Sequence, residues 1–310
     1  MTITLFENFR AVFYLPFYAT HALGAYAAEG VDVRLETSPS PEASATSLLN
    51  HDTDVSWGGP MRVLLTHDRL PDCGLVGFCE VVTRDPFFII GREARPGFDL
   101  RNLRDMRIGT VSEVPTPWLC LQDDLRRLDL DPDSLDRVAD RSMAENEAAL
   151  RDGSLDAIQV FQPYAEHLIR DGAGHILHAA ANRGSCSYTT LYTTWHTLET
   201  RRDSLLAMTR AIYRMQKWLH GQPDAVVAET VASYFPGLER PVLEAIIARY
   251  RALGIWGRNP ILPRGGFERL KASCLSGGLI SRGADYAECV DTSLAEQVVR
   301  EDPAAMAGPS

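Results

Sequence analysis

The run Gly58-Gly59-Pro60, followed closely by Arg62, is the part of the sequence best suited to hold an anion. It comes after a predicted strand and opens a predicted helix, and the free N–H groups at a helix start attract negative charge. Glycine has no Cβ to keep a ligand away, and a guanidinium offers a planar fork to a carboxylate, sulfonate or phosphate. Because an isolated Gly-Gly-Pro is a weak motif, an ordinary turn beside a solvated arginine is the alternative.

A second group of candidates lies just after the first predicted strand. Phe13, Tyr14 and Pro16 occupy the loop between that strand and the first predicted helix. Open α/β sheets form their ligand crevices at the carboxyl ends of strands, where aromatic faces stack on flat molecules. The alternative is that these side chains only pack the start of the helix. The ligand that this loop favours is a small planar molecule.

The equivalent junction in the second part of the chain contains Ser112, Glu113 and Thr116. The alternative for Ser112 and Thr116 is that one of them caps the following helix, a role compatible with ligand binding. The start of that helix would attract an anion, whereas the Glu113 carboxylate would repel one and accept hydrogen bonds from an amine or a ring N–H. An amphoteric ligand would satisfy both groups.

Four further candidates stand at predicted strand ends. Gln162 and Tyr164 follow the strand predicted at 157–161, and Ser187 and Tyr188 lie where the chain returns to its first lobe. Amide and hydroxyl groups at such positions can orient a bound molecule. The alternative for the return segment is a Ser/Thr-rich strand edge that needs no ligand.

The sequence offers little support for other chemistry. His175, His178 and Cys186 resemble metal ligands only superficially, because a spacing of three puts two side chains on opposite faces of a strand. The glycine-rich dinucleotide fingerprint, the P-loop pattern and a recognisable Ser-His-Asp order are all missing from the sequence. Glu113, Glu80 and His196 are weak acid–base candidates. We therefore expect no cofactor, no metal and no catalytic residue.

Predicted strands and helices alternate along the chain, and they must position these side chains. Short apolar runs are followed by segments with the apolar spacing of a helix, which indicates β-α-β units around mainly parallel sheets. The cycle restarts at Leu100, and the β-rich run SYTTLYTTW follows at 187–195 before a mostly helical stretch. The tail from about Glu301 is predicted to be disordered.

The predicted fold class is α/β, with two three-layer lobes and a ligand cleft between them. Residues 1–88 and 187–310 are expected to form the first, discontinuous lobe, which includes the C-terminal helices. Residues 89–186 are expected to form the second lobe. The length of 310 residues agrees with two domains at about 150 residues each.

Charge and composition limit the partners. Acidic side chains outnumber basic ones by 41 to 31 and the net charge is −10, which argues against a nucleic-acid partner. No apolar run reaches about 18 residues, so no direct membrane insertion is expected. Six scattered cysteines without a C-x-x-C pair predict reduced thiols, and no export signal is visible. As the sequence stands it predicts a cytoplasmic protein; a trimmed mature chain would be periplasmic.

Five segments together carry a family resemblance. They are LPFYATHALGAYAAEGVDVRL (15–35), DVSWGGP (54–60), NLRDMRIGT (102–110), LRDGSLDAIQVFQPYAE (150–166) and RAIYRMQKWLHGQPDAV (210–226). In this order they resemble type II periplasmic binding proteins of the nitrate/sulfonate/taurine and thiamin-pyrimidine-precursor group. The resemblance implies two α/β lobes that close over one small ligand. For a receptor of an ABC transporter it also implies a permease as partner.

The same fold hosts enzymes, and their motifs depart from this sequence. The pyrimidine synthases of thiamin biosynthesis place a Lys and a His where Gly58 and Arg62 stand, and GSCSYTT (184–190) keeps one Cys of their cysteine-rich run. An aromatic sulfinate desulfinase uses a Cys after the first strand, where NFRAVFY (8–14) has none. Two functions stay open. One is a receptor for a small anionic or heteroaromatic ligand, and the other is a cytosolic enzyme, either a cofactor-free lyase of decarboxylase or desulfinase type or a pyrimidine-biosynthesis-like enzyme.

Overall fold

The computed structural model describes residues 2–307, which form two compact units. Unit 1 consists of the residues up to 83, of 185–271 and of those from 280 onward, and unit 2 consists of 84–184 and 272–279. Two α/β lobes were predicted, and this fold class is confirmed. Residues 272–279 belong to unit 2, whereas the sequence predicted them within the first lobe. The physical reason for their place in unit 2 is close packing, since a Cβ on Gly277 would clash with Leu119.

The strands within residues 2–307 are short and mostly buried. In chain order they are β1 (Thr2–Glu7), β2 (Asp32–Thr37), β3 (Val55–Gly58), β4 (Leu75–Val82), β5 (Phe88–Gly91), β6 (Arg107–Gly109), β7 (Asp136–Val138), β8 (Ala157–Val160), β9 (His175–Ala179) and β10 (Thr189–Thr194). The continuous apolar run of β4 is buried along its whole length, as expected for a strand covered on both faces.

Each unit contains one five-stranded sheet. The order in unit 1 is β2-β1-β3-β10-β4, with β1 parallel to β2 and β3 and with β10 antiparallel to β3 and β4. The order in unit 2 is β7-β6-β8-β5-β9, with β6 parallel to β7 and β8 and with β5 antiparallel to β8 and β9. Two adjacent parallel strands must be joined by a crossover connection within the unit. The antiparallel strands β5 and β10 differ, because each is the first strand after the chain passes from one unit to the other.

Helices connect these strands and form most of the chain after β10. The α-helices are α1 (Leu15–Ala22), α2 (Ala25–Ala28), α3 (Pro41–Leu49), α4 (Pro60–Arg69), α5 (Thr116–Arg126), α6 (Met143–Arg151), α7 (Tyr164–Arg170), α8 (Trp195–Thr200), α9 (Arg202–Gly221), α10 (Asp224–Val231), α11 (Arg240–Ala252), α12 (Arg264–Ser276), α13 (Tyr286–Cys289) and α14 (Ser293–Glu301). Short 3-10 helices cover Val12–Tyr14, Leu100–Asp105, Pro132–Ser134, Ala180–Arg183 and Ala232–Tyr234.

Trp57, near the end of β3, is an aromatic centre of the unit 1 core. Its ring stacks on that of Phe17 at 4.5 Å with an interplanar angle of 2°, and the Tyr18 ring meets it at 5.6 Å in an edge geometry. All three side chains are buried. Offset and edge contacts between aromatic rings stabilise a core beyond the area that they bury. The end of β3 is thereby held against α1.

A buried ion cluster ties the two ends of the main segment of unit 2. Arg183 donates to Asp85 and, at 2.5 and 2.9 Å, to one carboxylate oxygen of Asp124. The three side chains are almost inaccessible to solvent. Buried charges are tolerated when they are paired and hydrogen-bonded. Since Asp85 and Arg183 stand near residues 84 and 184, their contact joins the beginning of the segment to its end.

The C-terminal residues up to 307 are held against α9. Lys217 Nζ contacts Asp302 Oδ1 at 2.5 Å, and Met306 N donates to the Arg214 carbonyl oxygen at 3.2 Å. The prediction of disorder from about Glu301 is wrong for this part of the tail, because these tertiary contacts are not visible in its composition. Residues 308–310 lie outside the described residues.

All six cysteines are buried, and none of them forms a disulfide in the described part of the chain. Within residues 2–307, no three His, Cys, Asp or Glu side chains are grouped so that they could hold a metal ion. None of the helices in that part of the chain has the length and apolarity needed to cross a membrane.

Candidate ligand site

The structure divides the predicted site residues between the two units. Unit 1 contains Phe13, Tyr14, Pro16, Gly58, Gly59, Arg62, Ser187 and Tyr188, and unit 2 contains Ser112, Glu113, Thr116, Gln162 and Tyr164. Most of the unit 1 residues lie around the ends of β1 and β3. These two strands are parallel, so their carboxyl ends meet at the same edge of the sheet.

Gly58 ends β3 in a position that leaves no room for a side chain. A Cβ there would lie 2.7 Å from Asn8 Nδ2 and 3.1 Å from a ring carbon of Tyr192. Asn8 follows the last residue of β1, and its Oδ1 accepts a hydrogen bond of 2.7 Å from the Ser44 hydroxyl. The glycine therefore lets the backbone approach a buried polar group at the edge of the sheet.

Helix α4 begins at this edge without a capping side chain. Its N-cap is Gly59, Pro60 is its first residue, and its first turn contains no acidic side chain. The position of Gly59 is restricted as well, since a Cβ there would lie 3.2 Å from the carbonyl oxygen of Tyr188. The first N–H groups of a helix have no partner within the helix, so this start can accept an anion.

The aromatic loop packs against the return segment. The Phe13 ring lies 4.3 Å from that of Tyr14 and meets Tyr188 edge-on at 6.2 Å. Phe13, Tyr14, Pro16 and Tyr188 are all buried. The structure thus brings the aromatic candidates of unit 1 together and gives them a packing role. Contact of these rings with a ligand stays a prediction.

Arg62 is buried and already has a counter-ion. Its Nη2 lies 2.6 Å from Glu42 Oε1, in the first turn of α3. Partial burial raises the pKa of Glu42, but a backbone hydrogen bond and Arg62 lower that pKa more, so the net shift is downward. Arg62 is therefore not the solvated side chain of the simpler interpretation.

Ser187 faces a buried acid on β4. Burial raises the pKa of Glu80 to about 8, although the nearby Ser187 and Thr83 hydroxyls lower that pKa in part. A Cβ on Gly266 would lie 2.6 Å from the Ser187 hydroxyl, so α12 packs directly on this group. Glu80 is therefore largely uncharged at neutral pH.

In unit 2, the Glu113 carboxylate is engaged by the chain itself. Its Oε1 accepts a 2.9 Å hydrogen bond from the backbone N–H of Met143, the first residue of α6. Thr116 is the first residue of α5, but no side chain caps that helix, so the alternative of capping by Ser112 or Thr116 is wrong. The N-cap position belongs to Pro115, which has no hydroxyl.

Gln162 and Tyr164 surround a cis peptide bond between Gln162 and Pro163. The Gln162 side-chain oxygen accepts a 2.9 Å hydrogen bond from the Glu166 backbone, so it helps to begin α7. Burial first, and the nearby Glu113 second, raise the pKa of Tyr164. Tyr164 and Glu113 both belong to unit 2.

Two comparisons with known sequences bear on these sites. A family model described as NMT1-like matches residues 90–233. YtlA of Bacillus subtilis (strain 168), whose name assigns it provisionally to the binding proteins, is 24% identical over 297 residues. The match covers 95% of this chain and 89% of YtlA.

Solved structures resemble the chain over almost its full length. The periplasmic aliphatic sulphonate binding protein SsuA from Escherichia coli has a TM-score of 0.74 at 14% identity, with 93% of this chain and 96% of that chain covered. The chain has the type II periplasmic-binding-protein fold. The desulfurization enzyme DszB shares this fold, with a TM-score of 0.69 at 16% identity and coverage of 97% and 100%. The predicted resemblance to periplasmic binding proteins is thus confirmed.

Within this periplasmic-binding-protein fold, three side chains near the β1 and β3 ends escaped the sequence analysis: Asn8, Glu42 and Tyr192. Asn8 could have been predicted as a site residue from the sequence, because it is a polar residue directly after the first strand. Glu42 resembles an ordinary acidic residue in the first turn of a helix. Tyr192 lies within a Thr-rich strand, and only tertiary packing brings it beside Gly58.

Proposed function

We propose that this chain is a solute-binding protein of the kind that serves ABC transporters, and that it binds a small organic ligand with an acidic group. YtlA and SsuA carry binding-protein names, which supports a receptor over an enzyme. The fold by itself does not separate the two classes, because DszB has it as well. The ligand class therefore depends on the residues of the candidate site itself.

The class of ligand is inferred from the junction between β3 and α4. A helix of ten residues begins there at two glycines without a capping side chain, and the buried Arg62 stands in its first turn. A helix start and a guanidinium both attract an oxyanion. The name of the Escherichia coli relative refers to aliphatic sulphonates, an oxyanion class that suits both groups.

The body of the ligand is inferred from the neighbouring aromatic side chains. Phe13, Tyr14 and Tyr188 form an apolar cluster in the same unit. Clusters of this composition bind planar or heteroaromatic molecules. The residues of unit 2 named above stay predicted ligand contacts, with Ser112 and Thr116 as candidates at the start of α5.

The test is calorimetric titration with benzenesulfonate and benzoate, after native mass spectrometry has identified any co-purifying small molecule. We expect Arg62→Ala to weaken binding by about ten- to a hundredfold, which is the worth of a charge-assisted hydrogen bond in a desolvated site. Arg300→Ala, at an exposed position on α14, is the matched control and is expected to bind as wild type does. Equal affinities for Arg62→Ala and wild type, with folding intact, would remove Arg62 from the site.

An ABC-transporter permease is the proposed partner, and the periplasm is the proposed location of a mature chain. The competing candidate is a cytosolic lyase, which the likeness to DszB favours. The desulfinase resemblance requires a cysteine after the first strand, and residues 8–14 contain none. We therefore expect no release of sulfite from an aromatic sulfinate. Turnover would support the enzyme.

A further inference from the structure

We propose that Glu42 competes with the acidic group of the ligand for Arg62. The Glu42 carboxylate contacts Arg62 Nη2 and must leave before an oxyanion can accept hydrogen bonds from both Nη2 and Nε. The inference rests on the proposed function, because it concerns the same arginine. Its consequence is that the chain binds anionic ligands more weakly than its other residues would allow.

The contact between the two side chains is incomplete. The Arg62 side chain is only 8% exposed, and its Nη2 lies 2.6 Å from Glu42 Oε1. The Nε of Arg62 is fully buried and has no hydrogen-bond partner among residues 2–307. In a guanidinium, the Nε and Nη2 donors point the same way and form one planar fork that matches the two oxygens of an oxyanion. Glu42 therefore fills one position of a two-position fork.

The Glu42 side chain is free to move away. It is 63% exposed, and it projects from the first turn of α3, whose N-cap is Ser40. A carboxylate at a helix start is stabilised there without any second partner. Displacement therefore costs the one charged hydrogen bond to Arg62 Nη2, while Arg62 always keeps a counter-ion.

An incoming sulfonate or carboxylate would accept the Arg62 Nε hydrogen bond that Glu42 does not accept. Two of its oxygens can accept from Nε and Nη2 together, which satisfies a buried donor that otherwise has no partner. The gain is reduced by the need to displace Glu42 from Nη2. An uncharged ligand does not compete for the fork, so Glu42 has no effect on its affinity.

The experiment compares benzenesulfonate with the uncharged benzenesulfonamide by calorimetry. We expect Glu42→Gln to bind benzenesulfonate about tenfold more tightly than wild type, which is the scale of one displaced hydrogen bond to a charged group. Its affinity for benzenesulfonamide should not change. Glu244→Gln, on α11 and paired with Arg240, makes the same change of net charge elsewhere in unit 1 and should alter neither affinity.

A double-variant cycle separates competition from general electrostatics. In an Arg62→Ala background, Glu42→Gln is expected to leave the benzenesulfonate affinity unchanged. Glu42→Asp, which keeps the charge on a shorter side chain, should bind more tightly than wild type but less tightly than Glu42→Gln. This second variant keeps the test valid if Glu42→Gln does not fold.

The two proposals fail differently. If Arg62→Ala weakens benzenesulfonate binding but Glu42→Gln and Glu42→Asp leave it unchanged or weaken it, Glu42 positions Arg62 and competition is overturned while the proposed function stands. If wild type binds neither benzenesulfonate nor benzoate, both proposals are overturned. A gain in affinity that Glu244→Gln reproduces also overturns competition.

Discussion

Replacing Glu80 by Gln should make the chain more stable at alkaline pH and leave its stability at pH 5 almost unchanged. The Glu80 side chain on β4 is 3% exposed. Burial raises its pKa from 4.5 to about 8, although the Ser187 and Thr83 hydroxyls act in the opposite direction. The folded chain therefore keeps the Glu80 proton over a pH range in which the unfolded chain releases it.

The sign and size of the effect follow from this difference in bound protons. A pKa that is higher in the folded state stabilises the fold below the unfolded value, and the contribution is lost as the pH rises toward the folded value. One pKa unit corresponds to about 1.4 kcal/mol. Between pH 5 and pH 8.5, wild type should therefore lose about 4 kcal/mol that Glu80→Gln does not lose. Gln suits the comparison because it has the shape of the protonated acid and does not titrate.

The assay is equilibrium unfolding in urea at pH 5 and at pH 8.5, followed by circular dichroism. Other titrating groups affect both proteins equally, so only the change in the difference between wild type and variant is interpreted. Glu244→Gln, at a partly exposed position, controls for the removal of a carboxylate and should show little change with pH. The same free-energy difference between wild type and Glu80→Gln at both pH values would refute the reasoning, because Glu80 would then be ionised in the fold.

Three further changes test the packing that supports the site. Arg183→Leu should destabilise unit 2 by about 3–5 kcal/mol in urea unfolding, because two buried carboxylates lose their counter-ion; an effect below about 1 kcal/mol would contradict that role. Gly58→Ala should cost about 1–3 kcal/mol by thermal unfolding, since its Cβ meets Asn8 Nδ2 at 2.7 Å, and an unchanged melting temperature would argue against the close approach. Ser142→Ala should cost about 1 kcal/mol by removing the α6 cap to Glu145 N, while Ser142→Thr should retain most of it.

The strand and the helix that flank the candidate anion site were predicted correctly because they depend on local sequence. An apolar run before Gly58-Gly59-Pro60 predicted a strand followed by a helix, and the structure has β3 and α4 there. Pro60 has the φ angle of a first helical residue, and glycines suit a position where backbone and side chains approach closely. Neighbours in sequence decide such features, so they are readable without knowledge of the fold.

The parts that escaped depend on residues far apart in sequence. The partner of Arg62 lies one helix earlier, and only the packing of α3 beside α4 brings Glu42 to it. The Glu113 carboxylate was expected to face a ligand, but the start of α6 uses it. A carboxylate satisfies any free N–H group within reach, and sequence alone does not show which one the fold presents. Charged side chains were thus the least predictable members of the site.

The stacked pair of Trp57 and Phe17 gives the chain an optical reporter close to the proposed anion site. Trp57 is buried, lies one residue before Gly58, and has the Tyr14 ring at 5.9 Å. An indole in such dry surroundings emits at short wavelengths, and its emission responds to a change in the field or in the aromatic neighbours around it. Ligand arrival at the start of α4 should therefore be visible in stopped-flow fluorescence without any label, and Trp57→Phe would identify the share of the signal that this residue supplies.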